Sequence, residues 1–329
     1  MSSSRILLVG LLAAACVLGL LPSVQAGTVR DDRSPELYLN LAGQPQYAAV
    51  GKLTIHATDG WYLGSGTLIS NADTAWVLTA GHCVDNAIGL TFNIGGKDYT
   101  AAKWVDNPSW NGNLSRGYDI GLVQLSTSVA GVTPATRYTG SREVGATATI
   151  AGYGMTGTGK TGATQPAGTK LAGQNVVDQV AAGKGSSARV LMIDFDNPLR
   201  RFDSSMGSSK PLDLEYMVAP GDSGGGLFIT DKSGTYLAGV TSFLQAWDGT
   251  LNSDYGDIGG FTRVSVFNSW INSIIGVPKV SGMLMGLDAP LGPAAALPEP
   301  TTLGLLALGL AALAARRRTS KTRPGEAGG

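Results

Sequence analysis

The sequence predicts a mainly β fold, on three observations. Glycine is abundant, with 47 in 329 residues, and charged residues make up only 15%. The apolar runs between the glycines are short and partly alternating, as half-buried strands are. A helical spacing of apolar residues occurs once near the end of the central region, at Val266, Trp270, Ile271, Ile274 and Ile275. At 43% apolar the chain can bury a substantial core. Its formal charge of zero provides no field for nucleic acid or an acidic lipid surface.

Residues 1–26 read as a secretory signal peptide: an early Arg5, the apolar stretch Ile6 to Leu21, and Val24-Gln25-Ala26 as a site for signal peptidase. Cys16 is followed by apolar Val17 to Leu21, whereas a lipidated mature terminus is polar. Without the leader, Cys83 is the sole cysteine and no internal disulfide is expected. Residues 27–46, with Arg30-Asp31-Asp32-Arg33, read as a polar, irregular N-terminal extension.

From Tyr47 the pattern changes, and a folded domain is expected over 47–278. Strands are predicted at Val50 to Ile55, Gly64 to Ile69, Thr74 to Leu78 and within Tyr118 to Leu125. Residues 130–142 read as a connector. A second set follows at Ala146 to Gly154, Arg189 to Phe195, Gly224 to Ile229, Tyr236 to Phe243 and Gly260 to Val264. The helix is expected over 266–275. Glycines make loops of Gly154 to Gly168 and Gly183 to Ser187. The Gly157-x-Gly159-x-x-Gly162 string has no helix after it, so it is not a nucleotide fingerprint.

Residues 279–297 read as a linker. Pro298-Glu299-Pro300, the uncharged run 301–315 and Arg316-Arg317-Arg318 follow, then the polar tail 319–329. A helix over 301–315 spans roughly 22 Å, short of a ~30 Å hydrocarbon core. The arginines place its end on the cytoplasmic side.

Three segments carry chemistry. Thr79-Ala80-Gly81-His82-Cys83 ends a strand with an imidazole, Asp119-Ile120-Gly121-Leu122 opens one with a carboxylate, and Gly221-Asp222-Ser223-Gly224-Gly225 sets a serine in a glycine turn. A serine hydroxyl needs a base to remove its proton. An imidazole can take that proton and return it to a leaving amine, and a buried carboxylate fixes its tautomer. The expected roles are Ser223 as nucleophile, His82 as base and Asp119 as orienting group. Asp106, also between His82 and Ser223, competes for the last role. The amides of Gly221 and Ser223 would form an oxyanion hole. Neither a cofactor nor a metal site is expected, with only two histidines and no cysteine cluster.

These blocks resemble the signatures of the trypsin/chymotrypsin family of serine peptidases, over about Tyr47 to Ile275. The resemblance implies two six-stranded antiparallel β-barrels, about 47–130 and 146–264, with the triad between them. It implies that Ser242, Phe243 and Leu244 pair with an extended polypeptide substrate, with Ser242 also behind Asp119. Met217 would floor the specificity pocket, with Gly259 and Gly260 on its far wall, which suits apolar rather than basic side chains. Cys83 lacks its family partner, which would fall within Leu63 to Thr67. No activation tetrapeptide is present, so Asp222 must find another cation. The C-terminal segment 298–318 resembles the PEP-CTERM sorting signal of Gram-negative envelopes, which implies processing by an exosortase and at least transient membrane attachment. A non-catalytic envelope or matrix-binding protein and an esterase on the same fold stay open as alternatives.

Overall fold

The computed structural model describes residues 26–276. The segments expected to be a signal peptide (up to Gln25), a linker, a sorting segment with an apolar helix and a polar tail lie outside these residues. Among the described residues no helix is long and apolar enough to cross a membrane.

The extension expected to be irregular is folded. It forms β1 (Gly27–Val29) and α1 (Pro35–Ala42). Val29 and Tyr38 are buried in the core of the second half of the chain, and the Tyr38 hydroxyl donates to the Glu215 carbonyl. Tyr38 and Ala42 lie one turn apart on one helix face, and both are buried. A few apolar anchors hold the segment, although its average composition is polar.

The first half contains β2 (Val50–Ala57), β3 (Gly60–Asn71), β4 (Ala75–Thr79), the short α2 (Gly81–Val84), β5 (Ala87–Ile94), β6 (Lys97–Asp106) and β7 (Gly121–Leu125). Its strands close into a barrel in the order β2-β3-β4-β7-β6-β5. Burial alternates along β2, with Leu53 and Ile55 inward and Thr54 and His56 less covered. Leu68, Leu78, Phe92 and Leu122 complete the interior.

The second half comprises β8 (Thr136–Arg137), β9 (Thr147–Gly152), β10 (Thr156–Thr158), β11 (Gly162–Gln165), β12 (Leu171–Val176), β13 (Gln179–Ala181), β14 (Val190–Asp194), β15 (Tyr216–Met217), β16 (Gly226–Asp231), β17 (Gly234–Gln245), β18 (Ile258–Arg263) and α3 (Val264–Ile275). Among the described residues the expected second closed barrel is not formed. The strands make an eight-stranded sheet, β12-β9-β16-β17-β18-β14-β13 with β8 beside β17, and a four-stranded sheet, β11-β10-β1-β15.

The reason lies at the free edge of β12. Gln174 N–H donates to the Leu214 carbonyl, and the Asn175 amide donates to the carbonyls of Asp194 and Tyr216. The segment before β15 therefore occupies the edge that a closing ladder would use. The glycine loop expected at 154–168 likewise contains β10 and β11, because β1 pairs in parallel with β10 and supplies its hydrogen bonds. The α3 helix is longer by two residues than its apolar spacing indicated. Its entry is pinned by the buried Arg263 guanidinium, which donates to both oxygens of Glu143 at 2.8 and 2.7 Å.

Candidate active site

His82, Asp119 and Ser223 converge where the two halves meet. His82 lies on α2, immediately after β4, and Asp119 immediately precedes β7; these strands are paired, with Thr79 opposite Gly121. Asp119 is fully buried. Its Oδ1 accepts the backbone N–H of His82 at 2.8 Å, and its Oδ2 lies 2.8 Å from His82 Nδ1. One carboxylate thus fixes both the main chain and the ring of the histidine. The Ser242 hydroxyl donates to Oδ2 at 2.6 Å, and Thr262 Oγ1 donates to the Asp119 carbonyl at 2.6 Å. Asp106 ends β6 opposite Gly121 and makes none of these bonds.

Burial of the imidazole works against its charged form. The Asp119 carboxylate, 2.8 Å from Nδ1, counters that effect, and the His82 pKa stands above its ordinary value.

Ser223 sits in a tight turn that demands glycine, with Gly221 at φ +98 and Gly224 at φ +85. The amides of Asp222, Gly224 and Gly225 are bonded to the carbonyls of Ala219, Thr241 and Asp222. Ser65 N–H donates to the Ser223 carbonyl at 2.7 Å, and Ser65 Oγ donates to the Gly221 carbonyl at 3.0 Å. The amides of Gly221 and Ser223 donate to no protein group among the described residues. Held by the surrounding bonds, they are the two donors left free for an anion.

The expected cation partner of Asp222 is absent from its described surroundings. Its carboxylate accepts Gly154 N–H at 2.8 Å, Ala219 N–H at 2.9 Å and the Tyr216 hydroxyl at 3.3 Å. Neutral donors replace a cation, and burial pushes the Asp222 pKa up to about 7. Tyr216 belongs to β15, which pairs with β1 through Val29. The N-terminal segment therefore abuts the support of the serine turn. Sequence reasoning missed Tyr216, Gly154, Ser65 and Thr262, because no motif marks them; Ser65, Gly154 and Thr262 come from distant parts of the chain, and the role of Tyr216, six residues before Asp222, shows only in the fold.

Two cavities meet at Ser223. One, of about 220 Å³, is lined by Val218, Ala219, Ser242, Phe243, Leu244 and Leu251, among others. Met217 and Gly259 do not line it; both are buried, and a Cβ built on Gly259 would stand 3.2 Å from Met217 Sδ. Gly260 faces the Phe243 ring instead. The other cavity, of about 460 Å³, contains His82, Cys83, Gly221 and Ser223. Cys83 is a free, buried thiol. Away from the site, Asp248, Asp254 and Asp257 bring ligand oxygens within 4.8 Å of one another, but the buried Asp257 is already held by the amides of Trp247 and Ser253.

The Trypsin family profile matches residues 44–271, and the PEP-CTERM protein-sorting motif matches residues 296–318. No curated protein matches the sequence. Among solved structures, HL collagenase is 19% identical, with 76% of this chain and 98% of that one covered and a TM-score of 0.51. Neuropsin, a serine protease expressed in the limbic system of mouse brain, is also 19% identical, covering 70% and 96%, with a TM-score of 0.49. A thermostable serine protease from an extremophilic microorganism is 15% identical, covering 67% and 93%, with a TM-score of 0.48. At 19% identity the likeness to the collagenase carries the fold alone. Since the family profile spans more than half of the residues, the chain belongs to the trypsin family of serine endopeptidases and ends in a PEP-CTERM sorting motif.

Proposed function

We propose that the chain hydrolyses peptide bonds through an acyl-enzyme on Ser223. His82 takes the hydroxyl proton and delivers it to the leaving amine, while Asp119 holds the imidazole in its tautomer and steadies the imidazolium. The free amides of Gly221 and Ser223 hold the oxyanion, each worth roughly 3 kcal/mol of barrier. The observation that carries this reading is the doubly bonded Asp119–His82 pair, with His82 and Ser223 lining one cavity.

An extended substrate adds to the end of β17, at Ser242, Phe243 and Leu244. The small apolar cavity beside Val218 and Leu244 receives the side chain before the scissile bond. An apolar rather than basic residue suits it. The domain 47–278 is exported after removal of residues 1–26 by signal peptidase. An exosortase acts at the 298–318 motif, with the 301–315 segment as a temporary membrane stop, so the enzyme reaches the envelope or beyond.

A fluorophosphonate probe tests the chemistry: it should label the purified protein and fail to label Ser223→Ala. Equal labelling of the variant would end the proposal. Cleavage of casein, as against simple esters alone, separates a peptidase from an esterase.

A further inference from the structure

The two cavities that share Ser223 differ in chemistry. Pro220 and Ser223 line both, so the two sides of a scissile bond must enter different cavities. His82 lines the larger cavity and not the smaller. As the group that hands a proton to the departing amine, it marks the larger cavity as the leaving-group side. This assignment rests on the function proposed above.

The floor of that cavity is apolar. Ile55 and Ala57 of β2 and Leu63 of β3 line it, together with Cys83. Asp59 and Asp85 also line it, and both are exposed. Among the described residues no Lys or Arg lines the cavity. Asp85 is steadied by the Trp110 indole N–H at 3.3 Å. An apolar floor favours a side chain that fills it, and an acidic rim with no internal cation favours a positive charge further out.

The geometry points to a leaving-group site that selects a bulky apolar residue directly after the scissile bond, followed by Lys or Arg. The substrate class is thus polypeptides with an apolar–basic pair on the departing side, which Asp59 and Asp85 read.

Partitioning of the acyl-enzyme tests this. An activated ester acylates Ser223, and the dipeptide amides Leu-Lys, Leu-Glu and Gly-Lys compete with water for it. The amine nitrogen attacks the ester carbonyl and the bond from that carbon to the Ser223 oxygen breaks. The amine proton passes through His82 to that oxygen, leaving a new peptide bond and free enzyme.

Capture by Leu-Lys should exceed capture by Gly-Lys at least about ten-fold. It should exceed capture by Leu-Glu about five-fold at low salt, and less as salt rises. Asp59→Lys with Asp85→Lys, both at exposed positions, should reverse the Lys-over-Glu ratio and keep the Leu-over-Gly ratio. Equal capture of all three amides, or preference for Leu-Glu in the unmodified protein, overturns the inference. If the fluorophosphonate also fails to label Ser223, the proposed function has failed and takes this inference with it. Labelling without selectivity refutes the leaving-group site alone.

Discussion

The Ser242 hydroxyl donates to Asp119 Oδ2 at 2.6 Å, the same oxygen that lies 2.8 Å from His82 Nδ1. Ser242 lies on β17 and Asp119 just before β7, so this bond ties the two halves of the fold at the carboxylate. The other oxygen, Oδ1, is taken by the His82 amide. The carboxylate therefore has little freedom to rotate, which is the condition for holding one imidazole tautomer.

Asp119→Asn should keep the fold and lower kcat by about four orders of magnitude, because the amide favours the wrong tautomer. Ser242→Ala should cost far less, about ten-fold or under, since it loosens the carboxylate without removing it. Steady-state kinetics on one peptide ester checks both. A larger loss in Ser242→Ala than in Asp119→Asn would contradict this ordering.

The acid limb of kcat/KM should lie above the ordinary imidazole value of about 6.5. His82 must be neutral to accept the Ser223 proton, and the Asp119 carboxylate raises its pKa against the effect of burial. Activity therefore rises as pH climbs through the raised value. The corresponding stability runs the other way: the pair's contribution is complete below the unfolded pKa and is lost as pH rises through the folded one. Asp119→Asn should move the limb down. A limb at or below 6.5 in the unmodified enzyme would refute the account.

Tyr216→Phe removes one of the three side-chain and backbone donors to buried Asp222. It should destabilise the fold by about 1–2 kcal/mol and lower kcat more than it raises KM, because the serine turn loses part of its support. Deleting residues 27–34 should do the same more strongly, since β1 pairs with Tyr216 and Met217. Thermal melts and kinetics on both variants check this. Full activity of the deletion variant would show the extension to be dispensable.

Gly64→Cys should form a disulfide with Cys83. A Cβ built on Gly64 stands 3.3 Å from Cys83 Sγ, near the reach of a normal bridge. A loop of about twenty residues predicts roughly 3 kcal/mol of stabilisation. Loss of the titratable thiol with a raised Tm is the expected outcome. A free thiol in the oxidised variant would refute it.

The three positions that converge, His82, Asp119 and Ser223, were legible in the sequence because each sits in a short block whose residue types are dictated locally. Ser223 needs glycines around a turn, and His82 and Asp119 each adjoin a strand. Four strands of the first barrel were also legible: β2 alternates in burial, and β3, β4 and β7 carry short, almost continuously buried runs. Two were not read: β5, although Leu90, Phe92 and Ile94 alternate inward along it, and β6, none of whose residues is fully buried and whose pattern carries no apolar period. The same local logic failed for residues 27–42, where Val29 and Tyr38 are buried by partners almost two hundred positions away.

By itself, then, the sequence determined the chemical groups, their order and the family, because those depend on residue type at close spacing. Only the tertiary structure decided that the second half stays open, that neutral donors among the described residues hold Asp222, and that two unlike cavities meet at Ser223. Each of these depends on which distant backbone groups reach a site first. Hydrogen bonds and burial between far-separated segments leave no periodic trace along the chain.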